Sequence, residues 1–156
     1  MRLLPEAAEV GNAEGWVVET IATGLGARKR VLLADDDAAV CSLLTLVLRP
    51  VAHVTAVHDA ESAMALLAQE PPFDAIISDF MLPGISGIEF VRHVRAAEAT
   101  SRKTPILMIS GHDRASVGAR AREAGADAFL DKPFTLAQLR HTVGILLGRP
   151  ITTISA

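Results

Sequence analysis

A single cysteine, Cys41, occurs in the 156 residues, so one chain can build neither a disulfide framework nor a thiolate zinc site. No apolar run approaches the roughly 20 residues that span a bilayer. The amino-terminal stretch Met1 to Val10 carries Pro5, Glu6 and Glu9, where a secretory signal needs an uninterrupted apolar segment. A basic excess is missing too. The 15 basic and 18 acidic side chains leave a formal net charge of -3, which is poorly suited to neutralising a nucleic-acid backbone. These absences argue against a membrane protein, a disulfide scaffold and a generic nucleic-acid binder. The expectation is a soluble cytoplasmic protein with one core, since 156 residues fit one domain comfortably and two only with strain.

What the chain does contain falls into two regimes. Residues 1–30 are interrupted by Gly11, Gly15, Gly24 and Gly26 and hold no lasting period. Their best local candidate is the short β-leaning piece Trp16 to Ile21, and they read as an extension ending in a solvated basic linker, Arg28-Lys29-Arg30. From Val31 a rhythm sets in. Apolar runs at Val31–Ala34, Val51–Val57, Ala75–Ser78, Ile106–Ile109 and Ala128–Leu130 are short, and all but the second are continuous rather than alternating. That is the pattern of parallel strands covered on both faces.

Helical spacing fills the gaps. Val40, Leu43, Leu44, Val47 and Leu48 form one stripe; Ala60, Ala63, Met64 and Leu67 form the next; Ile88, Val91 and Val94 follow. Ser116 to Ala124 is Ala-rich with a thin stripe, and Leu136, Leu139, Val143, Leu146 and Leu147 make the clearest one. Ser86 with Glu89 and Thr135 with Gln138 fit capping boxes, Asp59 suits a cap, and Gly125 suits a left-handed helix end. Five strands alternating with five helices predict a doubly wound (βα)5 domain of the flavodoxin-like type, with a parallel sheet ordered 2-1-3-4-5. The predicted domain spans residues 31–148, and the tail 149–156 leaves no room for an output domain.

In such a sheet, ligands bind beyond the carboxyl ends of the strands. Here the first run leads into Asp35, Asp36 and Asp37, the third into Asp79, the fourth into Ser110 and the fifth into Asp131 and Lys132. The second leads only to His58 and Asp59, which read as turn and cap. Crowded carboxylates resist full ionisation unless a cation joins them, and oxygen-only ligands favour a hard divalent ion such as magnesium. Magnesium beside a lysine and a hydroxyl suits a phosphoryl group, and a central aspartate can serve as the nucleophile.

Four motifs in order carry a family resemblance: Val31-Leu-Leu-Ala-Asp-Asp-Asp37, Asp79-Phe-Met-Leu-Pro-Gly-Ile-Ser-Gly87, Pro105-Ile-Leu-Met-Ile-Ser-Gly111 and Asp131-Lys-Pro-Phe134. Residues 31 to 147 resemble the receiver domain of bacterial two-component response regulators. The resemblance implies that Asp79 is the phosphoacceptor, that Asp36 binds Mg2+ directly with Asp79 and the Met81 backbone carbonyl, and that Asp35 supports the ion through water. It implies that Ser110 donates to a phosphoryl oxygen, that Lys132 pairs with the phosphoryl charge, and that the Lys132-Pro133 bond is cis. Phe129 stands at the position of a switch aromatic that turns inward with Ser110. Met81 and His112 stand where the family tunes autodephosphorylation, and an apolar Met81 side chain is expected to hinder the attacking water.

The resemblance further implies a sensor histidine kinase or phosphotransfer protein as donor. A downstream protein would be met through the face of the fourth helix, fifth strand and fifth helix, with Arg140 and His141 as candidate contacts; homodimerisation stays open. Direct DNA binding and membrane binding are not expected, nor is enzymatic turnover beyond the domain's own phosphorylation and dephosphorylation. The family's pattern is not met everywhere: Phe129 lacks a tyrosine hydroxyl, and Gly111 replaces a small residue, often Ala.

Plainer roles are assigned to other groups. Asp37 reads as a first-turn partner of the helix dipole, Asp131 as a loop residue and Cys41 as a packed thiol. The histidines lack the four-helix setting of a phosphohistidine. Two alternatives remain: a magnesium phosphohydrolase of the haloacid dehalogenase type, suggested by Asp35-Asp36-Asp37, and a receiver-like adaptor that keeps the fold without the chemistry.

Overall fold

The strand-forming runs pair as their continuity predicts. In the computed structural model, which describes residues 28–111 and 114–148, five strands form one parallel sheet in the order β2-β1-β3-β4-β5. They are β1 (Lys29–Ala34), β2 (Ala52–Val57), β3 (Ala75–Asp79), β4 (Ile106–Ser110) and β5 (Ala128–Asp131). Between and after them lie α1 (Ala38–Leu48), α2 (Ala60–Gln69), α3 (Gly87–Ala96), α4 (Arg114–Ala124) and α5 (Leu136–Leu146), with a 3-10 turn at Thr100–Lys103. The expected extension through residue 27, including Trp16 to Ile21, and the tail 149–156 lie outside the described residues.

Each strand alternates its side chains between two cores. Leu32, Ala34, Ile76, Ile106 and Met108 face α2, α3 and α4, where they meet Ala63, Phe90, Val91, Val94 and Ala121. Val31, Leu33, Ile77, Leu107 and Ile109 face α1 and α5, where they meet Leu44, Leu48, Leu139 and Val143. Both faces of the central strands are thus dry, which explains why β3 and β4 read as unbroken apolar runs.

The local punctuation follows the same logic. Ser86 and Thr135 each close a capping box, with Glu89 and Gln138 respectively, so two orphan amide groups are satisfied at each helix start. Asp59 caps α2 through a bond from the Ser62 amide, and Gly125 ends α4 with φ +116, a region open to glycine at little cost. Gly87 meets a different demand: a Cβ there would lie 2.3 Å from the Asp79 carbonyl oxygen. Only a bare backbone lets α3 start that close to the end of β3.

Several boundaries differ from the sequence expectation. The basic cluster is not a solvated linker among the described residues: Lys29 and Arg30 extend β1 by pairing with Ala52 and His53. The Arg28 side chain donates to the carbonyls of Arg49 and Ala52. Arg30 donates to Pro71 and lies over the Phe73 ring at 4.3 Å. Charged side chains hide the strand start because their contacts are tertiary. Val51 belongs to the turn before β2, its amide donating to Leu48. Asp131 closes β5 opposite Ser110 rather than starting a loop, and α4 begins at Arg114 instead of Ser116.

Candidate functional site

The register of the parallel strands places the polar strand ends together. Ala34 pairs with Ser78, and Asp79 with Ile109, so the turn after β1 and the end of β3 emerge side by side. Asp35, Asp36 and Asp79 each bring a carboxylate oxygen within 4.8 Å of the others. Asp35 and Asp79 are buried and Asp36 is exposed. Lys132 reaches the same point from beyond β5, its Nζ 3.5 Å from Asp79 Oδ1 and 3.9 Å from Asp35 Oδ2. The Lys132 amide donates to the Ser110 carbonyl at 2.8 Å, and the Lys132-Pro133 bond is cis. Ser110 itself is fully buried at the end of β4.

Charge in this rim is under-compensated. Burial is the main cause that pushes the Asp79 carboxyl above its ordinary range; Lys132 and a hydrogen bond from the Met81 amide oppose the rise, and Asp36 adds to it. Asp35 is also raised, chiefly by burial, with the Asp37 amide and Lys132 pulling down and Asp79 and Asp36 pushing up. One ammonium among three carboxylates leaves a net negative pocket. Oxygens around a single octahedral magnesium at about 2.1 Å are separated by about 3 to 4 Å. The 4.8 Å limit of this cluster thus fits a shared hard cation with one carboxylate acting through water. The all-oxygen donor set fits as well.

Other expected residues fall around this centre. Met81 is exposed, with 54% of its surface accessible, and its backbone amide donates to Asp79. Phe129 is half-buried at the third strand position before Lys132, packed against the α2–α4 core. Gly118 of α4 faces its ring, and a Cβ at Gly118 would stand 3.7 Å from Phe129 Cδ2. His112 lies outside the described residues. Asp37 is the cap of α1, accepting from the Ala39 and Val40 amides, which is a firmer local role than a first-turn charge. Gly111 has room for a side chain, the nearest atom to a Cβ being Lys132 Cβ at 3.7 Å.

One contributor escapes a reading of the sequence. His58, expected to be a mere turn residue, places Nδ1 3.1 Å from the Asp35 carbonyl oxygen, which also accepts from Cys41 Sγ at 3.2 Å. The available signal is its position immediately after a strand end, the same signal that singles out Asp79 and Ser110.

The family model of the response regulator receiver domain matches residues 31–144, and the chain belongs to that family. Over 121 residues it is 36% identical to response regulator MprA of Mycobacterium ulcerans, covering 77% of this chain and 50% of that protein. The chain therefore spans about half the length of the curated relatives it matches first. A putative response regulator from Chloroflexus aurantiacus superposes with TM-score 0.74 at 33% identity, covering 79% of this chain and 100% of that one. The receiver domain of sensor histidine kinase PA1611 from Pseudomonas aeruginosa, solved with a magnesium ion in its active site cleft, superposes with TM-score 0.70 at 28% identity, over 78% and 99% of the two chains. Family membership replaces the haloacid dehalogenase alternative. Among the described residues, no helix is long and apolar enough to cross a membrane.

Proposed function

We propose that this domain accepts a phosphoryl group on Asp79 from the phosphohistidine of a sensor histidine kinase or phosphotransfer protein. The observation that carries this reading is the placement of Lys132 Nζ 3.5 Å from Asp79 Oδ1, within a cluster of three carboxylates that leaves room for a divalent ion. An Asp79 oxygen attacks phosphorus, the bond from phosphorus to the donor imidazole breaks, and the imidazole keeps the electron pair. Lys132 meets the charge on the transferred group, and the Ser110 hydroxyl donates to one of its oxygens. Asp36, Asp79 and the Met81 carbonyl would hold Mg2+, with Asp35 acting through water; the ion supplies positive charge to the phosphoryl oxygens when bound.

The same reading extends to output. Phosphorylation draws Ser110 toward the acyl phosphate, and Phe129 turns inward after it from its place against Gly118, so that a second packing of α4, β5 and α5 is favoured. The shift requires only that the phosphoryl group bind one packing better than the other by the free energy separating them. The α4–β5–α5 face then meets a protein target or a second copy. Met81 hinders the water that would attack the acyl phosphate, and His112 acts on the same step. The acidic balance of the chain favours a cytoplasmic protein partner over direct contact with DNA, and turnover is confined to the domain's own phosphorylation and dephosphorylation.

Acetyl phosphate with magnesium should label the protein once, and Asp79→Ala should reduce labelling to background. Chelation of the metal should do the same. Undiminished labelling of Asp79→Ala would overturn the assignment, and no labelling of the unmodified protein would favour the adaptor that keeps only the fold.

A further inference from the structure

We infer that His58 is a positioning residue for the metal-binding turn, an inference that rests on the magnesium-dependent reading above and extends it to a residue outside the acidic cluster. Asp35 is gripped on every polar group. Its amide donates to the Val57 carbonyl at 3.1 Å, its Oδ1 accepts from the Asp37 amide at 2.9 Å, and its Oδ2 lies 3.9 Å from Lys132 Nζ. The remaining group, its backbone carbonyl, is held by His58 Nδ1 at 3.1 Å and Cys41 Sγ at 3.2 Å. A carbonyl only accepts, so the proton sits on Nδ1 of His58.

The held carbonyl belongs to the peptide that joins Asp35 to Asp36. Its orientation fixes the plane from which the Asp36 backbone departs, because the peptide unit is rigid. Asp36 is exposed, so burial does little to fix its side chain and the peptide plane aims its carboxylate toward Asp79. Two elements provide the clamp. Cys41 comes from α1 and is buried. His58 follows directly on β2, which ends at Val57. The clamp thereby ties the turn to the edge of the sheet as well as to a helix. Partners one shell beyond a metal ligand orient it in the same way in established metal sites.

The chemistry of the donor makes the inference testable. In His58→Asn the amide nitrogen stands two bonds from Cβ, as Nδ1 does, and can donate to the same carbonyl. In His58→Gln it stands one bond further, and in His58→Ala it is gone. Magnesium chloride is titrated calorimetrically into each metal-stripped full-length chain, with thermal melts run in chelator. His58→Ala and His58→Gln should bind magnesium about 10-fold more weakly, and His58→Asn should stay within about 2-fold of the unmodified protein. Labelling by acetyl phosphate at saturating magnesium should change little, so the loss falls on metal affinity and not on the maximal rate.

Equal magnesium affinity in all four proteins overturns the inference, as does a loss that the Asn variant fails to recover. If the unmodified protein binds magnesium yet takes no phosphoryl group, the proposed function fails while the calorimetry still decides the role of His58. If it binds no magnesium, both fail.

Discussion

The two rims of the sheet handle charge in opposite ways. At the amino ends of the strands, charges are matched. Arg95 donates to Asp127 at 2.8 Å, and the same Asp127 oxygen accepts the Ile106 amide. Arg30 pairs with Glu70 at 3.4 Å and Lys29 with Asp74 at 4.0 Å. At the carboxyl ends, Asp35, Asp36 and Asp79 converge on one another, and Lys132 is paired with two of them, Asp35 and Asp79. Matched charges satisfy one another and leave the fold a modest gain. Burial first, and the neighbouring carboxylates after it, raise the carboxyl pKa values of Asp35 and Asp79, which costs stability and creates affinity for a cation or a phosphoryl group. One rim holds the sheet, and the other is held ready by it.

The contrast can be broken at the point where backbone meets backbone. Gly87→Ala would put a Cβ 2.3 Å from the Asp79 carbonyl and 3.0 Å from Phe80 Cα. Neither atom can yield without moving β3, so urea denaturation should show a loss of about 3 kcal/mol or more. A midpoint unchanged from the parent protein would mean that the start of α3 is not tied to the phosphoacceptor strand.

A smaller effect should follow on the matched rim. Arg95 donates to the carbonyls of Gly125, Arg102 and Thr104 besides pairing with Asp127. Arg95→Ala should cost about 2 kcal/mol by leaving these acceptors to water, while the folded fraction accepts phosphoryl groups at the parent rate. A rate that falls further than stability would show that the rims are not separable.

The smallest effect has the opposite sign. Because the folded carboxyl of Asp79 titrates above its ordinary value of 3.8, the folded state holds more protons than the unfolded state just above that value. Its contribution to stability is therefore fully present below the ordinary carboxylate range and is lost as pH rises through the raised folded value. In the metal-free protein at neutral pH, Asp79→Asn should raise stability and flatten its dependence on pH, while abolishing phosphoryl acceptance. Denaturation midpoints of both proteins across the acid range check this; a variant less stable than its parent would show that the unmatched rim carries no strain.

Much of this is legible in the residues alone. Continuous runs at Ile76-Ile77 and Leu107-Met108 announce strands buried on both faces, and Ser86 with Glu89 announces the start of α3, because burial and capping leave marks within a few residues. The start of β1 is not legible, since Lys29 and Arg30 owe their place to Asp74, Glu70 and Phe73, far along the chain. His58 reads as a plain turn residue for the same reason: its partner is a backbone carbonyl beyond another strand, and a backbone group leaves no trace in a pattern of side chains.

The order of residues alone determined the alternation of strand and helix, the helix caps and the list of polar groups at the strand ends, since each follows from near neighbours and local periodicity. Only the folded arrangement decided that Asp35, Asp36, Asp79 and Lys132 meet at one point, that burial raises two of those carboxyls, and that His58 holds the turn among them. Strand register and crossover packing set those distances, and both are properties of the whole sheet.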